Sequence, residues 1–235
     1  HVLARRQFRT VLGGLEVVRS QIADMAALQF AMNALVRYTA AAEADHMELA
    51  FRSLAAKVVC SDGGWELCDT AIQLHGGAGF IEETGLPLML RDARITRIFE
   101  GANDVLRLHA GSIEAHSGRE RPALSEDGSL GELARVANEL AARVEAHRQA
   151  IVAEHGIRLL RRHRVLHQLG ELVVLRESAD ATVLLAEHLD TDEARALAAH
   201  WLFQVGKRMQ RHLEPLSAAE PIATITQALY EKVQP

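Results

Sequence analysis

Between Leu15 and Leu49 apolar residues recur at spacings of three and four, as at Ile22, Met25, Leu28, Met32 and Leu35, with alanines filling between them. This period predicts one long helix in close contact with others. A second helix is predicted from about Phe51 to Leu74, ending at "GGAG", where glycines remove the side-chain penalty on left-handed backbone angles. Pro87 suits the first turn of a third helix from about Leu86 to Ile98, and Asn103 to Ala115 reads as a fourth. The polar stretch "SGRERPALSEDGSLGE" at 117–132 follows, carrying four of the breakers Gly and Pro, and reads as a linker. Beyond it, Ser129 and Glu132 fit a capping box, and Leu133, Val136, Leu140 and Val144 mark the inner face of the next helix. Further helices are expected near 157–176, 178–189, 191–213 and 222–233, with Asp190 and Pro221 as start signals. The pattern predicts an all-α chain in two units, 1–116 and 130–235, joined by a linker at 117–129.

Composition narrows what such helices do. Aromatic content of 4% and few alternating β-branched runs argue against a substantial sheet. With 49% hydrophobic and 24% charged residues over 235 positions, the chain can bury a real core. A net charge of -5, with both signs interspersed, lacks the basic excess of a nucleic-acid binder. Cys60 and Cys68 lie eight apart on one predicted helix and read as buried thiols in a reducing compartment rather than a disulfide. The segment "MAALQFAMNALV" at 25–36 is too short to span a bilayer. "LGELVVLRESADATVLLAEHL" at 169–189 contains Glu171, Arg176, Glu177 and Asp180, so buried core is preferred over a membrane contact. The chain opens on "HVLARRQF" without Met, already in helix-like sequence, which suggests a piece of a longer protein.

Three stretches carry candidate chemistry. "GGAGF" at 76–80 lacks the third glycine and the preceding strand of a dinucleotide fingerprint, so it reads as a glycine-turned helix end whose bare backbone admits a close neighbour. His163 and His167 have the i, i+4 spacing of a metal pair, but Arg164 stands where a zinc-protease helix needs Glu, and surface histidines are the reading preferred over a metal site. Glu100, between Ile98-Phe99 and Gly101, is either a helix cap or a carboxylate desolvated by apolar neighbours, whose pKa would then rise towards that of a general base.

"RDARITRIFEGANDVLRL" at 91–108 closely resembles the C-terminal signature of the acyl-CoA dehydrogenase family, with "AIQLHGGAGF" at 71–80 similar to a second signature and "RRQFRTVLGGLEVVRSQIADMA" at 5–26 to a third. Their order across about 110 residues makes the resemblance specific for 1–116, and the roughly 120-residue tail is closest to the very-long-chain branch. The resemblance implies the C-terminal four-helix domain of a flavoprotein, followed by an additional helical domain, that oxidises a long fatty acyl-CoA to its trans-2-enoyl-CoA. Glu100 would take the α-proton, its backbone N–H would polarise the thioester carbonyl, and Gly101 would leave room for the substrate. FAD would be bound by Arg5, Gln7 and Phe8, by Gln73, Leu74, His75, Gly76 and Gly77 reaching a neighbouring subunit's cofactor, and by Ala102 and Asp104. The implied partners are the acyl-CoA, a second copy in a homodimer, and electron-transfer flavoprotein as acceptor. The implied location is mitochondrial in a eukaryote and cytoplasmic in a bacterium, and some members associate with membranes through the C-terminal region. Arg9, Glu16 and Ala102 depart from the family's usual Gly, Gln and Thr; the lost Thr hydroxyl removes roughly one hydrogen bond, on the order of 1 kcal/mol. A non-catalytic helical module, or a half-enzyme paired with a separate chain, is the competing expectation.

Overall fold

A computed structural model describes residues 1–41, 46–117 and 121–213. A two-residue hairpin, β1 (Arg6–Gln7) and β2 (Thr10–Val11), pairs antiparallel in the register Arg6 to Val11 and Gln7 to Thr10. Its turn places Phe8 and Arg9 at φ 50° and 65°, so Arg9, where the family carries Gly, bears the side-chain penalty of a left-handed backbone. Eight helices follow, and the described residues contain no other strand: α1 (Glu16–Ala40), α2 (His46–His75), α3 (Gly77–Phe80), α4 (Leu86–Thr96), α5 (Asn103–Ser117), α6 (Gly131–His155), α7 (His163–Leu189) and α8 (Asp192–Leu213).

The all-α class expected from periodicity is what the chain adopts, with four local differences. The helix expected from Leu15 to Leu49 stops at Ala40, where Ala41 is the C-cap, and residues 46–49 belong to α2. From His163 onward the predicted helices at 157–176 and 178–189 are one, α7, preceded by a 3-10 turn at Gly156–Arg161; nothing at 177 breaks the ladder, since Ser178 turns its hydroxyl back onto the Leu175 carbonyl at 2.7 Å and remains helical. The Ser129–Glu132 capping box does not form; α6 starts at Gly131 behind Leu130, and the Ser129 hydroxyl instead accepts from Arg195 at 3.4 Å. Asp190 is the left-handed C-cap of α7 at φ 48°, and Thr191 supplies the oxygen that accepts the Ala194 N–H at 3.2 Å. The helix expected at 222–233 lies outside the described residues.

α7 is the axis of the fold. It packs against α1, α2, α5, α6 and α8, most extensively against α5, and nearly all of it from Leu166 to Ala186 is buried. One apolar core joins Ala27, Leu28 and Ala31 of α1 with Leu140 and Val144 of α6, Leu169, Leu172 and Leu175 of α7, and Trp201 and Val205 of α8. The charges within α7 are buried with partners: Arg176 donates to Glu114 of α5 at 2.6 Å and pairs with Glu177, while Asp180 receives Arg121. Removing one partner of such a pair would leave an uncompensated buried charge. No described helix is long and apolar enough to cross a membrane.

The α5–α7 contact has a backbone cause. A Cβ on Gly111 would stand 1.8 Å from the Leu166 carbonyl oxygen, and one on Gly170 would stand 1.8 Å from that of Arg107. Only glycine at both positions permits helices this close.

Candidate functional site

The α4–α5 connection carries Glu100. α4 ends at Thr96 with Arg97 as C-cap, α5 begins at Asn103, and Glu100 caps neither. The Arg97 carbonyl accepts the Asn103 N–H at 3.0 Å, closing residues 97–103 into a tight loop. Within it Glu100 adopts φ 53° and Gly101 φ 95°. A left-handed Glu is an uncommon backbone state and persists only where surroundings hold it.

A polar cluster from α2 holds it. Lys57, Ser61 and Asp62 fall on one face of the helix, a turn apart. Lys57 donates to the Gly101 carbonyl at 2.7 Å and to Asn103 Oδ1 at 2.6 Å. Asn103, 4% exposed, donates from Nδ2 to Ser61 Oγ and to Asp62 Oδ1, both at 2.9 Å. Asp62 also receives Arg97 Nε and Arg107, and Arg107 turns its own Nε to Glu171 of α7. Burial alone would raise the Asp62 pKa, but the Arg107 and Arg97 charges and the donated hydrogen bonds lower it. For Arg107 the opposing effect of burial is outweighed by Glu171 and Asp62, which hold it firmly protonated. Burial lowers the Lys57 pKa, partly countered by the charges of Asp62 and Glu100.

The apolar neighbours of Glu100 do not enclose it. Ile95, Ile98 and Phe99 are 50 to 51% exposed and Glu100 is itself exposed, so this chain does not supply the desolvation expected from sequence. These side chains form an outward face, and no described segment of the chain lies over them. Ala102 is half-buried and Asp104 exposed, with His167 of α7 3.4 Å from its Oδ1. His163 is exposed at the start of α7, and the described residues contain no group of three or more metal-ligating side chains. Cys60 and Cys68, expected to be buried, are free and only half-buried on α2; burial raises both thiol pKa values.

The remaining site residues sit at two further places. Arg5, Gln7 and Phe8 are exposed on and beside the hairpin. At the end of α2, Gln73 is exposed and Leu74 and His75 are half-buried. Gly76, at φ 60°, and Gly77 follow, both exposed, with open space where a Cβ would stand. The His1 and His75 rings meet at 4.3 Å between centroids, so the N-terminal segment and the glycine turn adjoin. Asp62 and Gln73 are eleven positions apart on α2, about 17 Å along the helix, so the Glu100 loop and the glycine turn occupy separate stations on it.

Sequence reasoning did not single out Lys57, Ser61, Asp62, Asn103, Arg107 or Glu171. The available signal was polar residues at i, i+4 and i+5 in the apolar run "KVVCSD", together with the Asn and Arg of the signature itself.

The family profile described as "Acyl-CoA dehydrogenase, C-terminal domain" matches residues 1–112. Residues 1–112, just under half of the chain, are thus similar to an acyl-CoA dehydrogenase C-terminal domain. The very long-chain specific acyl-CoA dehydrogenase of mouse mitochondria is 41% identical over 110 residues, covering 46% of this chain and 17% of the mouse protein. Two solved structures share the fold. An acyl-CoA dehydrogenase complexed with FAD from Bacillus anthracis aligns over 90% of this chain and 44% of its own, at TM-score 0.78 and 19% identity. Caenorhabditis elegans ACDH-11 in complex with C11-CoA aligns over all of this chain and 43% of its own, at TM-score 0.71 and 17% identity. The chain thus spans less than half the length of the acyl-CoA dehydrogenases it matches, while its fold likeness extends past the matched domain into α6–α8.

Proposed function

We propose that this chain is the C-terminal part of a flavin-dependent acyl-CoA dehydrogenase that oxidises long or very long fatty acyl-CoA to trans-2-enoyl-CoA. The observation that carries the reading is Glu100 in a left-handed backbone beside Gly101, in a loop latched by Lys57, Asn103 and Asp62, on an exposed apolar face inside the family-matched domain. Strain of this kind is retained where surrounding contacts over-determine it, and functional sites are where it concentrates. The mouse relative's very-long-chain specificity favours the substrate class, and the FAD and C11-CoA complexes of the two structural neighbours favour the cofactor and the thioester.

The residues present fit FAD. Gly76 and Gly77 offer bare backbone with open space before it, and the exposed Arg5 guanidinium suits a pyrophosphate through paired charge-assisted hydrogen bonds. Gln7, Phe8, Gln73, Leu74, His75, Ala102 and Asp104 complete the proposed cofactor set. Bound FAD supplies the acceptor for the β-hydride. Glu100 takes the α-proton on its carboxylate, and its N–H polarises the thioester carbonyl, which makes that proton acidic enough to remove. Gly101, without a side chain, admits the thioester. The half-exposed Ile95, Ile98 and Phe99 exclude water from Glu100 once the rest of the enzyme or the acyl chain covers them.

On the same footing we propose a homodimer in which the glycine turn, a separate station on α2, meets the neighbouring subunit's cofactor, with electron-transfer flavoprotein reoxidising the flavin. The location would be mitochondrial in a eukaryote and cytoplasmic in a bacterium. The division into 1–116, a linker at 117–129 and an extension at 130–235 is proposed likewise, supported by the family match ending at residue 112.

Glu100→Gln in the full-length enzyme tests the reading. It keeps the shape and hydrogen bonding of the side chain but cannot accept the proton, so FAD and acyl-CoA should still bind while turnover falls by at least about 10²-fold. Anaerobic bleaching of the flavin on adding a long-chain acyl-CoA is the measurement, and bleaching at the wild-type rate would place the base elsewhere.

A further inference from the structure

We propose that Glu171, on α7 and beyond the matched domain, is a positioning residue for the Glu100 loop; this rests on Glu100 being the base. The glycine-to-carbonyl approach of α5 and α7 brings the Arg107 backbone against Gly170, and the residue after Gly170 is Glu171. That crossing sets Glu171 where its carboxylate receives Arg107 Nε. Arg107 then has its Nη2 aimed at Asp62, whose other oxygen takes Arg97 Nε and Asn103 Nδ2. Asn103 and Lys57 meet, and Lys57 grips the Gly101 carbonyl.

The relay therefore ends on both sides of Glu100. On one side is Arg97, whose carbonyl and side chain are both bound, and on the other is Gly101. Each link is charged or charge-assisted, and the side chains of Arg107, Glu171 and Asp62 are 12, 17 and 22% exposed, so solvent screens them weakly. A guanidinium is a rigid plane with its N–H directions fixed relative to one another; with Nε held on Glu171, the adjacent Nη2 is fixed on Asp62. Without Glu171 the Arg107 fork is free to turn, and Asp62 loses the partner that orients it towards Arg97 and Asn103. The extension thus contributes one carboxylate to the geometry of a base it does not touch.

The test uses the full-length holoenzyme carrying Glu171→Ala or Glu171→Gln, with Arg208→Gln as control. Arg208 also ties the extension to α2, donating to Glu66 at 2.9 and 3.0 Å, and among the described residues no hydrogen bond joins it to the loop. Amide hydrogen exchange over 97–106 should quicken about tenfold in Glu171→Ala, the factor carried by one charge-assisted hydrogen bond, and less in Glu171→Gln, which still accepts from Arg107. Arg208→Gln should leave that segment unchanged. Flavin bleaching by a long-chain acyl-CoA should slow in the same order while acyl-CoA affinity holds. Exchange over 97–106 that is unchanged in Glu171→Ala, or raised equally by Arg208→Gln, overturns the proposal, as does faster exchange with unslowed bleaching. Because exchange is read without turnover, a result of Glu100→Gln against the catalytic reading remains distinguishable from failure of the relay.

Discussion

The α5–α7 seam and the exposed apolar side chains of the chain's first half are built by contrary rules. At the seam, glycines bring backbones into contact, and the charges of Arg176, Glu114 and Glu177 are paired and buried. Elsewhere in the first half, at separate places, large apolar side chains are left outward: Phe8 is 80% exposed, Phe80 82%, and Leu88, Met89 and Ile98 about half. The seam is finished within this chain, whereas no described segment covers the apolar side chains around Glu100. Residues of the signature serve both: Arg97, Asn103 and Arg107 face inward and fix the loop, while Glu100 and Phe99 face outward.

The contrast can be attacked first at its tightest point. Gly170→Leu forces α5 and α7 apart, and we expect a stability loss of about 3 kcal/mol or more in urea unfolding, or failure to fold. A loss under about 1 kcal/mol would mean that the helices do not need their close approach.

Asp62→Asn probes the polar latch. It should cost about 1.5 to 3 kcal/mol at neutral pH, since Arg97 and Arg107 each lose a charged partner. Asp62 has a folded pKa lowered from 3.8, so its contribution is fully present above 3.8 and is lost as the pH falls through the lowered folded value. The stability gap between wild type and variant should therefore close at acid pH. A gap independent of pH would show that the carboxylate charge contributes nothing.

The smallest effect belongs to the outward apolar side chains. Phe80→Ser should change the stability of this chain by no more than about 0.5 kcal/mol, as expected for an exposed side chain away from packed features. A cost above about 1 kcal/mol would make Phe80 part of this chain's own interior and erase the contrast.

Periodicity and glycine placement were sufficient for the all-α class and for α4, α5 and α8 to within a few residues, because helix propensity and capping act over one or two turns. The sequence also marked Glu100 as a candidate, since the signature it resembles is a contiguous string. The continuity of α7 through Ser178 was not legible, because a serine in mid-sequence is compatible with either a break or a back-bonded helix. Nor was the relay from Glu171 to Gly101: its members span 115 positions from Lys57 to Glu171 and meet only because two glycines let α5 and α7 touch. The surroundings of Glu100 were misjudged for the same reason. Apolar neighbours in sequence show that a carboxylate could be desolvated, but the direction those side chains take is set by how α2, α4 and α5 pack. The sequence by itself determined which elements are helical and which residues are candidates for chemistry. The tertiary structure decided which of them are held and which are left facing outward, because burial and ion pairing depend on segments far apart along the chain.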